Sequence, residues 1–110
     1  MARRQSYLDV IAQEILAEVP EPDLPAENVH GLFVLYALLA LAKGLSVTAE
    51  DVHNAWCAWM SQHNRNHPSL IPFAELDEET ASYDEPFVKA ICTIVRRGSA
   101  DSELGAAHGA

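Results

Sequence analysis

The apolar run "LFVLYALLALA" (Leu32 to Ala42) lies in the middle of the chain and is its longest apolar stretch. A helix that crosses a bilayer needs about 20 such residues, so this run of eleven indicates a buried helix. The helix is predicted from about Glu27 to Lys43, with Gly44 as a left-handed C-cap. Because the run is apolar on every side, it must also be covered on every side. It is therefore predicted to be either the central helix of the domain or part of a subunit interface.

The residues before this run predict a first helix and a stiff connector. Ser6 can cap a helix whose apolar residues recur at helical spacing up to Val19, where Pro20 should stop it. The stretch from Pro20 to Pro25 contains three prolines, which fix φ and remove backbone donors. An acidic, extended link between the first two helices is therefore expected.

The residues after the run predict two more helices. The third should start at Thr48 as its N-cap and fade around residues 63–66, and the last should have Pro86 at its first position and end at Gly98. The sequence thus predicts an all-α fold over residues 1–98, a single small four-helix domain. An extended, proline-containing segment should separate helices three and four. Residues 99–110 show no periodicity and are predicted to form a disordered tail.

The net charge of the chain limits the kinds of partner that it is expected to bind. Sixteen acidic residues against seven basic ones give a net charge of −9. Phosphate backbones repel such a surface, so nucleic-acid binding is disfavoured. The N-terminus has no apolar stretch of the kind that a secretory signal needs, and no membrane partner is expected. Two cysteines within helical patterns make no disulfide framework, which favours a reduced, cytoplasmic setting.

The residue types and their spacing fit neither a metal site nor a catalytic site. Cys57, His63 and His67 follow one another at a spacing that matches neither a paired-cysteine zinc motif nor a helical His-Glu-x-x-His. A helix cap and a loop histidine explain them better than metal ligands do. Cys57 and Cys92 lie on predicted packing faces, where a thiol is normally inert, and no phosphate-binding glycine loop is present. The sequence therefore predicts no metal, no cofactor and no catalytic residue.

Two tryptophans three residues apart carry the main binding hypothesis. Trp56 and Trp59 follow His53 on the third helix. Packing in the core is one interpretation of both. The other is that one of them forms the wall of a small-ligand pocket, together with His53 and the loop around His67.

The stretch from His53 to Asp84 resembles the RyR domain, the repeat module of ryanodine receptors that also occurs singly in bacterial and phage proteins. That family has a His-x-x-Trp on a helix, then His-Pro-x-Leu-x-Pro-(Tyr/Phe)-x-x-Leu, acidic residues, an Asp and a closing helix. The likeness covers about residues 51–95. The matching positions are His53, Trp56, His67, Pro68, Leu70, Pro72, Phe73, Leu76, Glu78, Glu79 and Asp84.

The chain also departs from that family. The short "SQHNRN" (residues 61–66) stands where RyR domains usually have a Gly-Trp-x-Tyr-Gly segment. The first two helices look like an added N-terminal half, as in small proteins of actinobacteria and their phages.

The resemblance implies a non-enzymatic recognition module that binds a small ligand, with a nucleotide-derived signal as the kind proposed for bacterial members. The proline-containing segment should lie across the helices, with Leu70, Phe73 and Leu76 filling the core. A short helical turn is expected from Pro72 to Leu76. The pocket is expected between the third helix and residues 65–69. The candidate ligand-binding residues are His53, Trp56, Trp59, Arg65, His67 and Tyr83.

A helical interaction protein without a small-molecule ligand is the alternative reading. The all-round apolar second helix would leave a large apolar patch in water if the other helices failed to cover it, and monomers seldom carry such a patch. A homodimer or a higher even oligomer is therefore expected. Its contact is predicted at or near Phe33, Leu35, Tyr36 and Leu39.

Overall fold

The computed structural model describes the backbone of residues 6–20 and 29–109 and the side chains up to residue 98. Within these ranges the fold is all-α, with four main helices, as the sequence predicts. They are α1 (Tyr7–Glu18), α2 (His30–Lys43), α3 (Ala49–Met60) and α5 (Glu85–Gly109). A short helix, α4 (Glu78–Ser82), and 3-10 turns at Gly44–Ser46 and Phe73–Glu75 complete the described elements. None of the described helices is long and apolar enough to cross a membrane.

Capping side chains fix where α1 and α3 begin. Ser6 accepts a hydrogen bond from the backbone N–H of Asp9, whose carboxylate accepts one from the N–H of Ser6 in return. Thr48 and Asp51 form the same reciprocal capping box at the start of α3. Each box satisfies two backbone donors that have no partner within the helix. The predicted N-caps of both helices are confirmed.

The sequence predicts the end of α2 correctly but not the end of α5. Gly44 ends α2 with a φ of 58°, in the range that favours glycine, as predicted. The predicted start near Glu27 and most of the proline connector lie outside the described residues. The helix α5 does not end at Gly98 but continues to Gly109. One glycine costs only about 1 kcal/mol within a helix, and the residues that follow Gly98 include no proline to force a stop.

The helix α2 is the central element, and α1, α3 and α5 pack against it. Asp9 near the start of α1 contacts His30 at the start of α2, and Glu18 at the end of α1 contacts Arg97 of α5. These pairings at both ends indicate that α1, α2 and α5 run in the same direction. The helix α3 runs the opposite way, because it follows α2 through a short turn and brings Trp59 back to Gly31.

Aromatic rings form the centre of the core. The rings of Phe33, Tyr36 and Phe87 lie 5.2 to 6.1 Å apart in edge-to-face and tilted arrangements, which suit the charge distribution of aromatic rings. Phe33 and Tyr36 are each only 1 % exposed. Since both are buried inside one domain, the prediction that they form a subunit contact is wrong. Their rings pack on α5 instead.

The proline-containing segment lies on the surface of the core rather than inside it. A 3-10 turn forms at Phe73–Glu75, within the predicted helical turn. Leu70, Phe73 and Leu76 are only half-buried, so the expectation that they fill the core is wrong. The helices α1, α2, α3 and α5 already supply enough apolar side chains to close the core, and the segment packs over its edge, with Phe73 against His53.

The two phenylalanines Phe33 and Phe73 give a direct test of this arrangement. Phe33→Ala should lower the free energy of unfolding by about 3–5 kcal/mol, as removal of a fully buried ring does. Phe73→Ala should cost less, about 1–2 kcal/mol, because this ring is only partly buried at the edge of the core. Urea unfolding of both variants measures the difference. Equal losses would place Phe73 in the core and contradict the structure.

Candidate functional site

The histidine on α3 fixes the segment to the helices. His53 is 3 % exposed, and its Nε2 lies 2.7 Å from the carbonyl oxygen of Ile71. A carbonyl oxygen only accepts, so Nε2 must carry a proton. The Sγ atom of Cys57 lies 3.2 Å from the same nitrogen and can share that proton as a weak acceptor. Burial raises the pKa of the Cys57 thiol, which keeps it protonated and poorly nucleophilic.

Contacts between aromatic rings hold Trp56 and His67 in position next to His53. The indole of Trp56 stacks on His53 with ring centroids 5.8 Å apart. Its other contact is His67, which meets it edge-on at 4.9 Å. The Nδ1 atom of His67 accepts a hydrogen bond from the backbone N–H of Ser69, so in the neutral ring the proton is on Nε2. The result is a chain of rings that leads from the buried His53 to the surface.

A cleft of about 590 Å³ opens beside this chain of rings. Such a volume lies within the range of pockets for small organic ligands, about 300–1,000 Å³. The wall is formed by α2, α3, the loop after α3, α4 and the first turn of α5. The lining residues are Tyr36, Trp56, His67, Ser69, Thr80, Ser82, Tyr83, Asp84, Pro86 and Phe87.

Asp84 is the charged residue of the lining. Its carbonyl oxygen accepts hydrogen bonds from the N–H groups of Phe87 and Val88, which places it at the start of α5. Burial raises the pKa of its carboxyl to about 6, with a smaller contribution from Glu85 in the same direction and an opposing one from His53. Among the described residues no side-chain hydrogen bond to the Asp84 carboxylate is found. A half-buried carboxylate without a partner therefore faces the cleft.

Tyr36 links the cleft to the core. It is 1 % exposed and yet lines the cleft. Burial raises the pKa of its phenol, and the charge of Asp84 raises it further, so the hydroxyl is a neutral donor at any physiological pH. The described residues offer this hydroxyl no hydrogen-bond partner, and no fully buried side-chain N or O atom among them lacks one, so the hydroxyl opens to the cleft.

The structure separates the candidate residues into two groups. Trp56, His67 and Tyr83 line the cleft. His53 is buried behind Trp56, as a core histidine would be. The other two candidates also lie outside the lining: Trp59 packs against Gly31 and His63, and Arg65 is exposed.

Sequence reasoning missed several lining residues. Tyr36 is predicted from the sequence at or near a subunit contact, because an apolar run gives no sign of which member meets a cleft. Asp84 enters the sequence prediction only as a match to the RyR pattern. A better signal is present in the chain: an aspartate two residues before the proline of a helix start, next to the exposed Tyr83. The described residues contain no cluster of three or more potential metal ligands.

Fold and cleft together define a small all-α domain with an aromatic-walled acidic cleft. The chain matches the family described as "Domain of unknown function (DUF7701)" over residues 6–96 and belongs to it. That match spans both the first two helices and the segment that resembles the RyR domain. No curated protein and no solved structure matches the chain.

The raised pKa of Asp84 predicts a pH-dependent stability. In the unfolded chain this carboxyl titrates near 3.8, and in the folded protein near 6. Its cost to the fold is therefore absent well below pH 4, grows as the pH rises towards 6, and stays constant above. Asp84→Asn should stabilise the protein by about 1 kcal/mol at pH 7.5, after allowance for solvent screening of a half-buried group, and by much less at pH 4.0.

Urea unfolding at both pH values checks this expectation. Glu78→Gln is the matched control, because Glu78 is an exposed acid on α4 outside the lining, and its substitution should change stability by less than about 0.5 kcal/mol. A destabilised Asp84→Asn variant at pH 7.5 would mean that the Asp84 carboxylate has a favourable partner in the folded protein.

Proposed function

We propose that this domain is a non-enzymatic recognition module that binds a small organic molecule in the cleft between Trp56, Tyr83 and Asp84. The observation that supports this best is the cleft itself. It combines a volume suited to a small ligand with aromatic walls and a few polar groups, and ligand sites in general have this composition. The resemblance to RyR domains points to the same kind of function and stays a prediction.

Binding without chemistry is favoured by the state of the reactive groups. The Cys57 thiol is held protonated by burial, as described above. The Asp84 carboxylate makes no described hydrogen bond to any histidine, serine or tyrosine of the lining, and general acid–base catalysis needs a positioned pair of such groups. The absence of Lys and Arg from the lining makes the phosphate groups of a nucleotide poor occupants, so we do not extend the proposal to nucleotides.

The two tryptophans of the chain provide an internal comparison for a ligand screen. Binding in the cleft should shift the indole N–H resonance of Trp56 and leave that of Trp59 unchanged, since only Trp56 lines the cleft. Trp59→Phe assigns the two signals. A fragment library that moves neither signal, or moves both equally, would contradict a site in this cleft.

Two exposed tyrosines allow a matched mutational control for any compound found in that way. Tyr83 is 61 % exposed and lines the cleft, whereas Tyr7 is 68 % exposed and lies on α1. Tyr83→Ala should weaken binding severalfold and Tyr7→Ala should leave it unchanged, with little loss of stability in either, because exposed side chains contribute little to the fold. Equal weakening by both variants would point to a different site.

A second proposal is that the chain forms a homodimer, and an exposed apolar surface that contains three leucines favours it. Leu38 and Leu41 are 52 and 53 % exposed and lie on the side of α2 opposite its buried residues, and Leu45, 54 % exposed, follows in the 3-10 turn after the helix. The spacing of Leu38 and Leu41 puts them on one stripe with the half-buried Val34. An exposed apolar stripe of this kind is typical of surfaces that associate, and two-fold dimers are the commonest outcome.

Light scattering at micromolar concentration tests this second proposal. The expected mass is twice the 12.0 kDa of the chain, and Leu41→Glu should return it to that of a monomer without loss of helical content. Glu50→Gln, at an exposed position on α3, serves as a control that should leave the mass unchanged. A wild-type mass of 12.0 kDa that does not rise with concentration would refute the homodimer.

A further inference from the structure

The lining of the cleft carries one carboxylate, that of Asp84, and no Lys or Arg. Nearby acids outside the lining, such as Glu79 and Glu85, add to the negative potential, and the whole chain carries a net charge of −9. Clefts lined by one sign of charge raise the local concentration of oppositely charged ligands. A cation is therefore attracted to this cleft and an anion is repelled.

The walls add a second preference. Trp56, Tyr36, Tyr83 and Phe87 all line the cleft, so a ligand between them meets aromatic rings on several sides. The face of an aromatic ring carries negative potential, and ammonium or guanidinium groups bind over such faces. The attraction is larger when the cation is removed from water, as it would be beside the buried Tyr36.

Two polar groups of the cleft lining have no described hydrogen-bond partner. The Tyr36 hydroxyl is one of them, and it is open to the cleft, since no fully buried side-chain N or O atom among the described residues lacks a partner. The Asp84 carboxylate is half-buried, is ionised at neutral pH despite its raised pKa of about 6, and is also unpaired among the described residues. An N–H donor from a ligand can satisfy the carboxylate, and a polar ligand atom can pair with the hydroxyl.

Together these observations identify a class of ligand. We infer that the cleft binds an organic cation, with its ammonium or amidinium group on the Asp84 carboxylate and its apolar or planar part between the rings of Trp56 and Tyr83. This inference rests on the proposed recognition function and specifies the ligand. The cleft volume of about 590 Å³ is far larger than a bare ammonium group needs, so the planar or apolar part is an integral part of the ligand.

Three probes of nearly the same shape test the charge alone. Benzamidine is a cation, benzamide is neutral and benzoate is an anion, and each can be titrated into the full-length protein while the indole N–H of Trp56 is followed by NMR. Benzamidine should bind about tenfold more tightly than benzamide, because both can donate N–H groups to the Asp84 carboxylate but only the cation also gains the attraction of opposite charges. Benzoate should bind more weakly than either.

Two variants show whether the preference comes from Asp84. In Asp84→Asn the difference between benzamidine and benzamide should fall to less than about threefold, which is less than about 0.7 kcal/mol. Glu78→Gln removes the same charge from an exposed position outside the lining and should keep the full difference. This control separates the contribution of Asp84 from the general attraction of an acidic protein for cations.

The outcomes separate the inference from the function on which it rests. If benzamide or benzoate shifts the Trp56 signal as strongly as benzamidine, the cleft is a binding site but its ligand is not a cation. If benzamidine fails to shift it while neutral fragments succeed, the inference is equally overturned. If no compound of any charge shifts it, the proposed function fails as well. A preference for benzamidine that survives in Asp84→Asn would also overturn the assignment to Asp84.

A free amine and a lysine side chain share this chemistry, and a competition experiment distinguishes the two sources. Nα-acetyl-lysine amide and a short peptide that contains lysine can each be used to displace benzamidine. Equal displacement by the two would indicate a free small cation as the ligand. Displacement by the peptide at concentrations tenfold lower would indicate recognition of a protein chain.

Discussion

The hydrogen bond from His53 Nε2 to the carbonyl of Ile71 is the interaction on which the cleft depends. It joins α3 to a segment that has little regular structure, and it is protected from water because His53 is nearly fully buried. Removal of the imidazole would leave a part-buried carbonyl unpaired, at a cost of about 1–3 kcal/mol. The same ring supports Trp56 by stacking. One histidine thus fixes both the aromatic wall and the loop that faces it.

The central position of α2 imposes a second constraint. Because α1, α3 and α5 cover most of this helix, its large side chains are divided between core and cleft. Tyr36 belongs to both, since it packs against Phe33 and Phe87 and also lines the cleft. The lining of the cleft is therefore continuous with the core on this side. Such continuity preorganises a site, because the side chain cannot change rotamer without disturbing its neighbours.

Sequence patterns predicted the elements of the fold better than the placement of its irregular segment. Ser6, Thr48 and Gly44 act through local backbone chemistry, so their positions were predictable from neighbouring residues alone. The depth of Phe73 and the identity of the cleft-lining residue on α2 depend on which helices fill the core first, and no local pattern carries that information. Trp56 and His67 were predicted as candidates because helical spacing and the RyR resemblance both single them out, while Asp84 required the packed structure.

The two sides of the cleft differ in how freely they can vary. On the α4 side, Ser82 and Tyr83 are exposed and contribute little to the free energy of folding. On the α2 side, any change at Tyr36 also repacks the aromatic core. Substitutions on the α4 side can therefore change the lining of the cleft while the scaffold is kept. The short helix is the part of the cleft wall that tolerates substitution at the lowest cost to the fold.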